Sequence, residues 1–253
     1  MRIAVGVKRV PDTAARLKPA ADGKSIDRTG VEHVISPYDE IAVEAAIQIK
    51  EKHGAGGGEV VAVTVGPAEA QKELRTCLAM GADKALLVKD DAPFRDASST
   101  ARILAAALKN GAFDLVLFGW KATDDDAAQV GLRVAEALGI AGVTLVTKIE
   151  VDGKGLKLHR EIEGGTEIVE TSMPAVVTVQ KGLAEPRYAS LKGIMAAKKK
   201  PLEEKPLADA GEAVLEIERI EPPPPRPPGR IVGEGVAAVP ELVRLLRQEA
   251  KVL

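Results

Sequence analysis

The chain has 253 residues, 45% of them hydrophobic and 28% charged, with a formal net charge of -2. That balance suits a packed globular core and excludes a broadly basic, nucleic-acid-binding surface. Cys77 is the only cysteine and His33, His53 and His159 lack ligand spacing, which excludes an internal disulfide and a cysteine-rich zinc site.

The first residues, "MRIAVGVKRVPD", make too short an apolar run for an export signal. No stretch approaches a membrane span, so no direct membrane insertion is expected. The expected setting is a reducing aqueous compartment: a bacterial or archaeal cytoplasm, or an organelle matrix.

In chain order, "RIAVGV" (2–7) reads as a buried strand. A polar loop leads to "SPYDEIAVEAAIQIKEKHG", where Ile41, Ala45 and Ile49 make a helical stripe, Ser36 and Asp39 are candidate caps and Gly54 is the stop. "GGGEVVAVTVG" (56–66) is a second strand. A helix over 67–81 follows, with Pro67 in its first turn and Gly81 at its end. "KALLV" (84–88) is a strand, 97–111 a helix closed by Asn-Gly, and "DLVLFG" (114–119) a strand. The next helix is expected from about Asp124 to Leu138.

Short apolar strands alternating with amphipathic helices define an α/β fold: an open, mostly parallel, doubly wound sheet of the adenine-nucleotide-binding type. After about 143 the pattern becomes strand-rich, with a hairpin turn at "VDGKG" and alternation in "LKLHREI", as in an antiparallel extension of the same sheet. The α/β domain is therefore drawn over 1–181 and a charged loop over 182–201. A C-terminal arm over 202–253 is extended at "EPPPPRPPG" (221–229) and ends in a helix near 239–250. That helix carries Leu242, Leu245, Leu246 and Val252 as its apolar side. It folds back or lies on a partner.

"GWKATDDDAAQVG" raises the question of Asp124, Asp125 and Asp126. Neighbouring side chains on a helix point about 100° apart, so three adjacent carboxylates do not converge on an ion. Acidic residues in a first turn complement the helix dipole, and Thr123 with Asp126 has the spacing of a capping box. A third reading places this loop in the crevice at the carboxyl ends of the strands, where helix-start amides face a phosphate and acidic groups turn to hydroxyls or backbone. Gly6, Gly66 and Gly119 close their strands, where a missing side chain admits a ligand. No P-loop and no GxGxxG follows a strand, so nothing visible would cleave a nucleotide.

"VKRVPD", "SPYDEIAVEAA", "VTVGP", "LRTCLAMGADKA", "GWKATDDDAAQVG", "REIEGG" and "MPAVVTVQKGLAEPRYASLKGIMAAKKK" follow one another in this order. Over residues 2 to about 201 the chain resembles the beta subunits of electron-transferring flavoproteins. The resemblance implies a heterodimer with an alpha subunit that carries most of the FAD, and a structural AMP in the beta subunit. It implies electrons accepted from acyl-CoA and related dehydrogenases and passed to a membrane quinone oxidoreductase. The matching AMP-pocket segments are Gly6; Ser36, Pro37, Tyr38 and Asp39; Val65 with Gly66; and Gly119, Trp120, Lys121, Ala122, Thr123, Asp124, Asp125, Asp126, Ala127, Ala128, Gln129 and Val130.

Tyr38 also matches an aromatic that approaches the flavin, against a plain role in core packing. Leu191 matches a leucine that plugs a pocket on the dehydrogenase, with Ile194 and Met195 beside it and Lys198, Lys199 and Lys200 to steer encounters. On the residues alone, the same stretch reads as a helix packing Leu191, Ile194 and Met195 into the chain's own core. No catalytic residues are expected, since electron transfer needs no acid or base. Asp125 stands where relatives with a second FAD in place of AMP often have glycine, which leans toward AMP. That bifurcating type and a nucleotide-sensing regulatory module are the alternatives. Packing is the expected role of Cys77.

Overall fold

The computed structural model describes residues 1–53, 57–92, 94–207, 211–226 and 228–253. Gly54 and Pro227 lie outside the described residues. Two units separate at Ile220/Glu221, one over Met1–Ile220 and one over Glu221–Leu253.

The first unit is built on a nine-stranded sheet. Its strands are β1 (Arg2–Gly6), β4 (Glu59–Gly66), β5 (Lys84–Lys89), β6 (Leu115–Gly119), β7 (Ala141–Asp152), β8 (Gly155–Ile162), β9 (Gly165–Ser172), β10 (Ala175–Val179) and β11 (Leu202–Pro206). Their order is β11-β5-β4-β1-β6-β10-β7-β8-β9. Seven strands run parallel, and β8 and β9 close the far edge antiparallel. The α/β class and the antiparallel extension are as expected. A separate ribbon of β2 (Arg9–Pro11) and β3 (His33–Ile35) was not foreseen.

Alternate residues of each central strand feed two cores. Ile3, Val5, Leu115 and Leu117 pack with α1 (Pro37–His53) and α2 (Gln71–Met80) on one face. Ala4, Val116 and Phe118 pack with α3 (Ala97–Leu108) and α4 (Val130–Leu138) on the other. Cys77 is fully buried in the first core, and burial pushes its thiol well up, which keeps it protonated and inert.

Several expectations need correcting. The helix after β6 begins at Val130, not Asp124, because the backbone turns left-handed at Asp126 (φ 51°) and Ala128 (φ 53°) and cannot continue an α-helix through them. Thr123 and Asp126 form no capping box: the N-cap is Gln129, with no side-chain cap. Pro67 precedes a 3-10 turn (Ala68–Ala70) that runs into α2. The boundary placed at 202 also moves, since β11 pairs in parallel with β5 and the first unit runs on to Ile220.

In the second unit, α6 (Val239–Leu245) gives way to a wider π-type turn (Leu246–Ala250). The change of pitch rotates the later side chains. Leu245 is buried, while Leu242 and Val252 are exposed, and Val252 lies beyond the last helical residue, Ala250. Among the described residues, no helix is long and apolar enough to cross a membrane.

Candidate functional site

The chain passes from β1 to β4 and β5 on one side and to β6 on the other. Where strand order reverses, the loops leaving adjacent strands splay apart and open a crevice at their carboxyl ends. Here it measures about 600 Å³. Gly6, Asp39, Val65, Gly66, Gly119, Trp120, Lys121, Ala122, Asp124, Asp125, Ala127, Ala128, Gln129 and Val130 line it. Ser36, Pro37, Tyr38, Thr123 and Asp126 stand outside its wall.

The three aspartates turn chiefly to lysines. Lys8 Nζ donates to Asp124 Oδ1 at 2.8 Å and Asp125 Oδ2 at 2.9 Å, and Lys121 Nζ to Asp126 Oδ2 at 2.8 Å. Asp125 Oδ1 also accepts the Ala127 amide at 3.1 Å. Burial works against the Lys8 charge, but the two aspartates outweigh it and raise its pKa. The left-handed residues Asp126 and Ala128 lead to the uncapped start of α4, whose first-turn amides have no side-chain acceptor among the described residues. Lys8 and Lys121, both paired to aspartates, and the uncapped start of α4 line the same crevice. Among the described residues, no group of three His, Cys, Asp or Glu side chains is placed to hold a metal.

Asp39 is the joint between three elements. From the first turn of α1 its Oδ2 accepts the Lys8 amide and its Oδ1 the Gly119 amide, both at 2.8 Å. It therefore ties the ends of β1 and β6 together instead of capping its own helix. Burial pushes its carboxyl up to about 7, against the pull of these two amides and of Lys8. Ser36 does not cap through its side chain either. Its Oγ is buried without a partner among the described residues, while its carbonyl accepts the amides of Asp39 and Glu40.

The strand-end glycines divide in role. A Cβ on Gly6 would run into the Phe118 ring, and one on Gly119 would lie 2.6 Å from both Asp39 Oδ1 and Tyr38 Cβ. These two let elements pack closely where they line the crevice. Only at Gly66, where the nearest atom would be 3.7 Å away, is the space open as expected. Tyr38 stands edge-on to Trp120, with centroids 5.8 Å apart, and Lys121 Nζ lies 4.8 Å from the Trp120 ring centre. That chain of contacts gives Trp120 a role in placing the loop.

Sequence reasoning missed part of the wall. Lys8, in "VKR" directly after β1, was legible as a cation at a strand end. Ile217 and Ile220 were not, because they arrive from a segment with no regular structure. Ile220 is held at the crevice by donating its amide to Gly23 O at 2.8 Å, and upstream the segment is tied down by the Val214 amide, which donates to Asp96 Oδ2 at 2.9 Å.

On the surface, helix α5 (Leu191–Ala197) buries Ala197 but leaves Leu191 84%, Ile194 44% and Met195 63% exposed. This excludes their packing into the chain's own core. Lys200 is not a free steering charge: its Nζ donates to Leu78 O at 2.9 Å and Ala82 O at 2.6 Å. Lys198 and Lys199 are exposed.

Sheet order and crevice define a doubly wound α/β protein with an open crevice at its switch point. The electron transfer flavoprotein domain matches residues 24–210. The electron transfer flavoprotein subunit beta of Bacillus subtilis is 45% identical over the whole of both chains. That of Bradyrhizobium diazoefficiens is 41% identical, again over the whole of both. That of Sus scrofa is 38% identical, covering 100% of this chain and 99% of its own. The chain belongs to the electron transfer flavoprotein family, among its beta subunits. Its role is in electron transfer.

Proposed function

We propose that this chain pairs with an electron transfer flavoprotein alpha subunit, holds one AMP in the crevice, and completes an FAD site carried mainly by the alpha subunit. The observation that carries the AMP assignment is that Lys8, Lys121 and the uncapped start of α4 line one crevice. A phosphate there accepts first-turn amides, as anions do at helix starts. Asp125 favours AMP over a second FAD, because its carboxylate fills the loop by bonding Lys8 and the Ala127 amide.

The flavin supplies the redox chemistry when bound. This chain's residues bind, orient and exclude water, and none serves as an acid or base. The exposed face of α5 supports docking of acyl-CoA and related dehydrogenases, with onward transfer to a quinone oxidoreductase. Tyr38, half-buried and braced by Trp120, is the aromatic offered toward the flavin. The compartment is cytoplasmic, or the mitochondrial matrix in a eukaryote.

Acid release and chromatography of the purified heterodimer should give one FAD and one AMP per pair. Two FAD and no AMP would replace the AMP reading with the bifurcating one. Lys8→Ala should lower AMP occupancy at limiting nucleotide about tenfold, since charge-assisted bonds are worth more than one power of ten. Equal occupancy in that variant would remove Lys8 from the phosphate rim.

A further inference from the structure

Helix α1 presents Glu44 and Glu51 along one line of its surface, seven residues and so about two turns apart. Arg187, from the segment joining β10 to α5, engages both. Its Nε and Nη2 donate to Glu44 Oε2 and Oε1 at 2.8 and 2.9 Å. Its Nη1 and Nη2 donate to Glu51 Oε1 and Oε2 at 2.8 and 3.0 Å. The Arg187 amide adds a bond of 3.2 Å to Glu44 Oε2. Glu44 itself is 2% exposed and is steadied by Gln48 Nε2 at 2.8 Å.

Bidentate pairing fixes a guanidinium in plane as well as in place, which an ammonium does not do. Among the described residues, Ser190 Oγ caps α5 itself, and the polar side-chain contacts from segment 182–190 to any other element are those of Arg187. Directly after it come Tyr188, 100% exposed, and then Leu191. The other end of α5 is gripped by α2: Arg75 Nη1 donates to Ala197 O at 2.7 Å and to Lys200 O at 2.9 Å. An exposed apolar row thus hangs between two fixed points, one on α1 and one on α2.

We infer that Arg187 is a positioning residue, which by clamping Glu44 and Glu51 holds the row from Tyr188 to Met195 in one arrangement for the docking dehydrogenase. This rests on the docking role proposed for α5. An anchor ordered beforehand loses little freedom on binding, whereas a loosened one must be ordered at the moment of contact.

The test uses the flavin-loaded heterodimer and an acyl-CoA dehydrogenase from the same organism. Arg187→Met should raise the KM for the heterodimer about tenfold while kcat and flavin content stay within about twofold. Arg187→Lys, which keeps the charge without the fork, should fall between. Added to Leu191→Ala, Arg187→Met should cost less than it does alone. If Leu191→Ala raises KM and Arg187→Met does not, the clamp is overturned. If neither does, the docking reading itself fails. A full additive effect in the double variant also overturns the inference, since Arg187 then acts elsewhere. Should Arg187→Met fail to assemble, Glu51→Gln removes the outer fork alone; it should give a smaller KM rise, and an unchanged KM would overturn the clamp.

Discussion

Gly119 and Asp39 show how closely the crevice is built. A methyl group at Gly119 would lie 2.6 Å from Asp39 Oδ1 and Tyr38 Cβ, so Gly119→Ala must push α1 away from β6. Overpacking of this kind costs about 1–3 kcal/mol, and a urea melt should show it as a lowered midpoint with little change in slope. Asp39 carries a pH dependence of definite sign. Its carboxyl titrates at about 7 in the fold, against about 3.9 in an unfolded chain. Between those values the native state keeps a proton that the unfolded state has lost, so stability falls as pH rises through the window. Wild type should melt higher at pH 5 than at pH 8, and Asp39→Asn, less stable throughout, should have a flatter profile. Equal slopes in the two proteins would mean that the two amides keep Asp39 ionised across the range. Legibility at this scale was mixed: the glycines were found by their place at strand ends, but their partners, Phe118 and Asp39, come from distant sequence.

The element that stands out is α5. Seven residues long, it owes little to helix propensity and much to its seat on α2. Ser190 Oγ caps Gly193 N at 3.0 Å, and a Cβ at Gly193 would lie 2.5 Å from Ala79 O, so the helix lies flush on its neighbour. Leu191→Ala removes exposed surface only. It should slow reduction by a dehydrogenase several-fold while leaving flavin content and melting temperature unchanged; unaltered kinetics would take Leu191 out of the interface. Lys200→Ala should act the opposite way, lowering stability while Lys198→Ala and Lys199→Ala leave it alone. Most elements were readable because buried parallel strands are continuous apolar runs with glycine at their ends. Strand β11, "LEEKP", was not, since four of its five residues are exposed and its place beside β5 rests on backbone pairing and one exposed ion pair, Lys89 with Glu204. The start of α4 was misread for a related reason: three aspartates have the composition of a first turn, and nothing local announces the left-handed residues that delay it.

At the scale of the molecule, the first unit contains both cores and the whole wall of the crevice, whereas no residue of the second belongs to either core among the described residues. Removing residues 221–253 should leave the far-UV spectrum and cooperative melting of the first unit in place and weaken assembly with the alpha subunit, measured by size-exclusion chromatography of the mixed subunits. Loss of cooperative melting would show that the first unit leans on the second. The position of β10 has a different consequence, one of timing. It is the tenth strand to leave the ribosome, yet it lies between β6 and β7. Strand β6 is complete at Gly119, but its second neighbour begins at Ala175, and until then one edge of a buried parallel strand faces solvent with its amides and carbonyls unpaired. A nascent chain stalled or cut short in that interval displays an adhesive edge. The hairpin of β8 and β9, the latter mostly exposed, is the stretch that must be made and set aside before the sheet can be zipped shut.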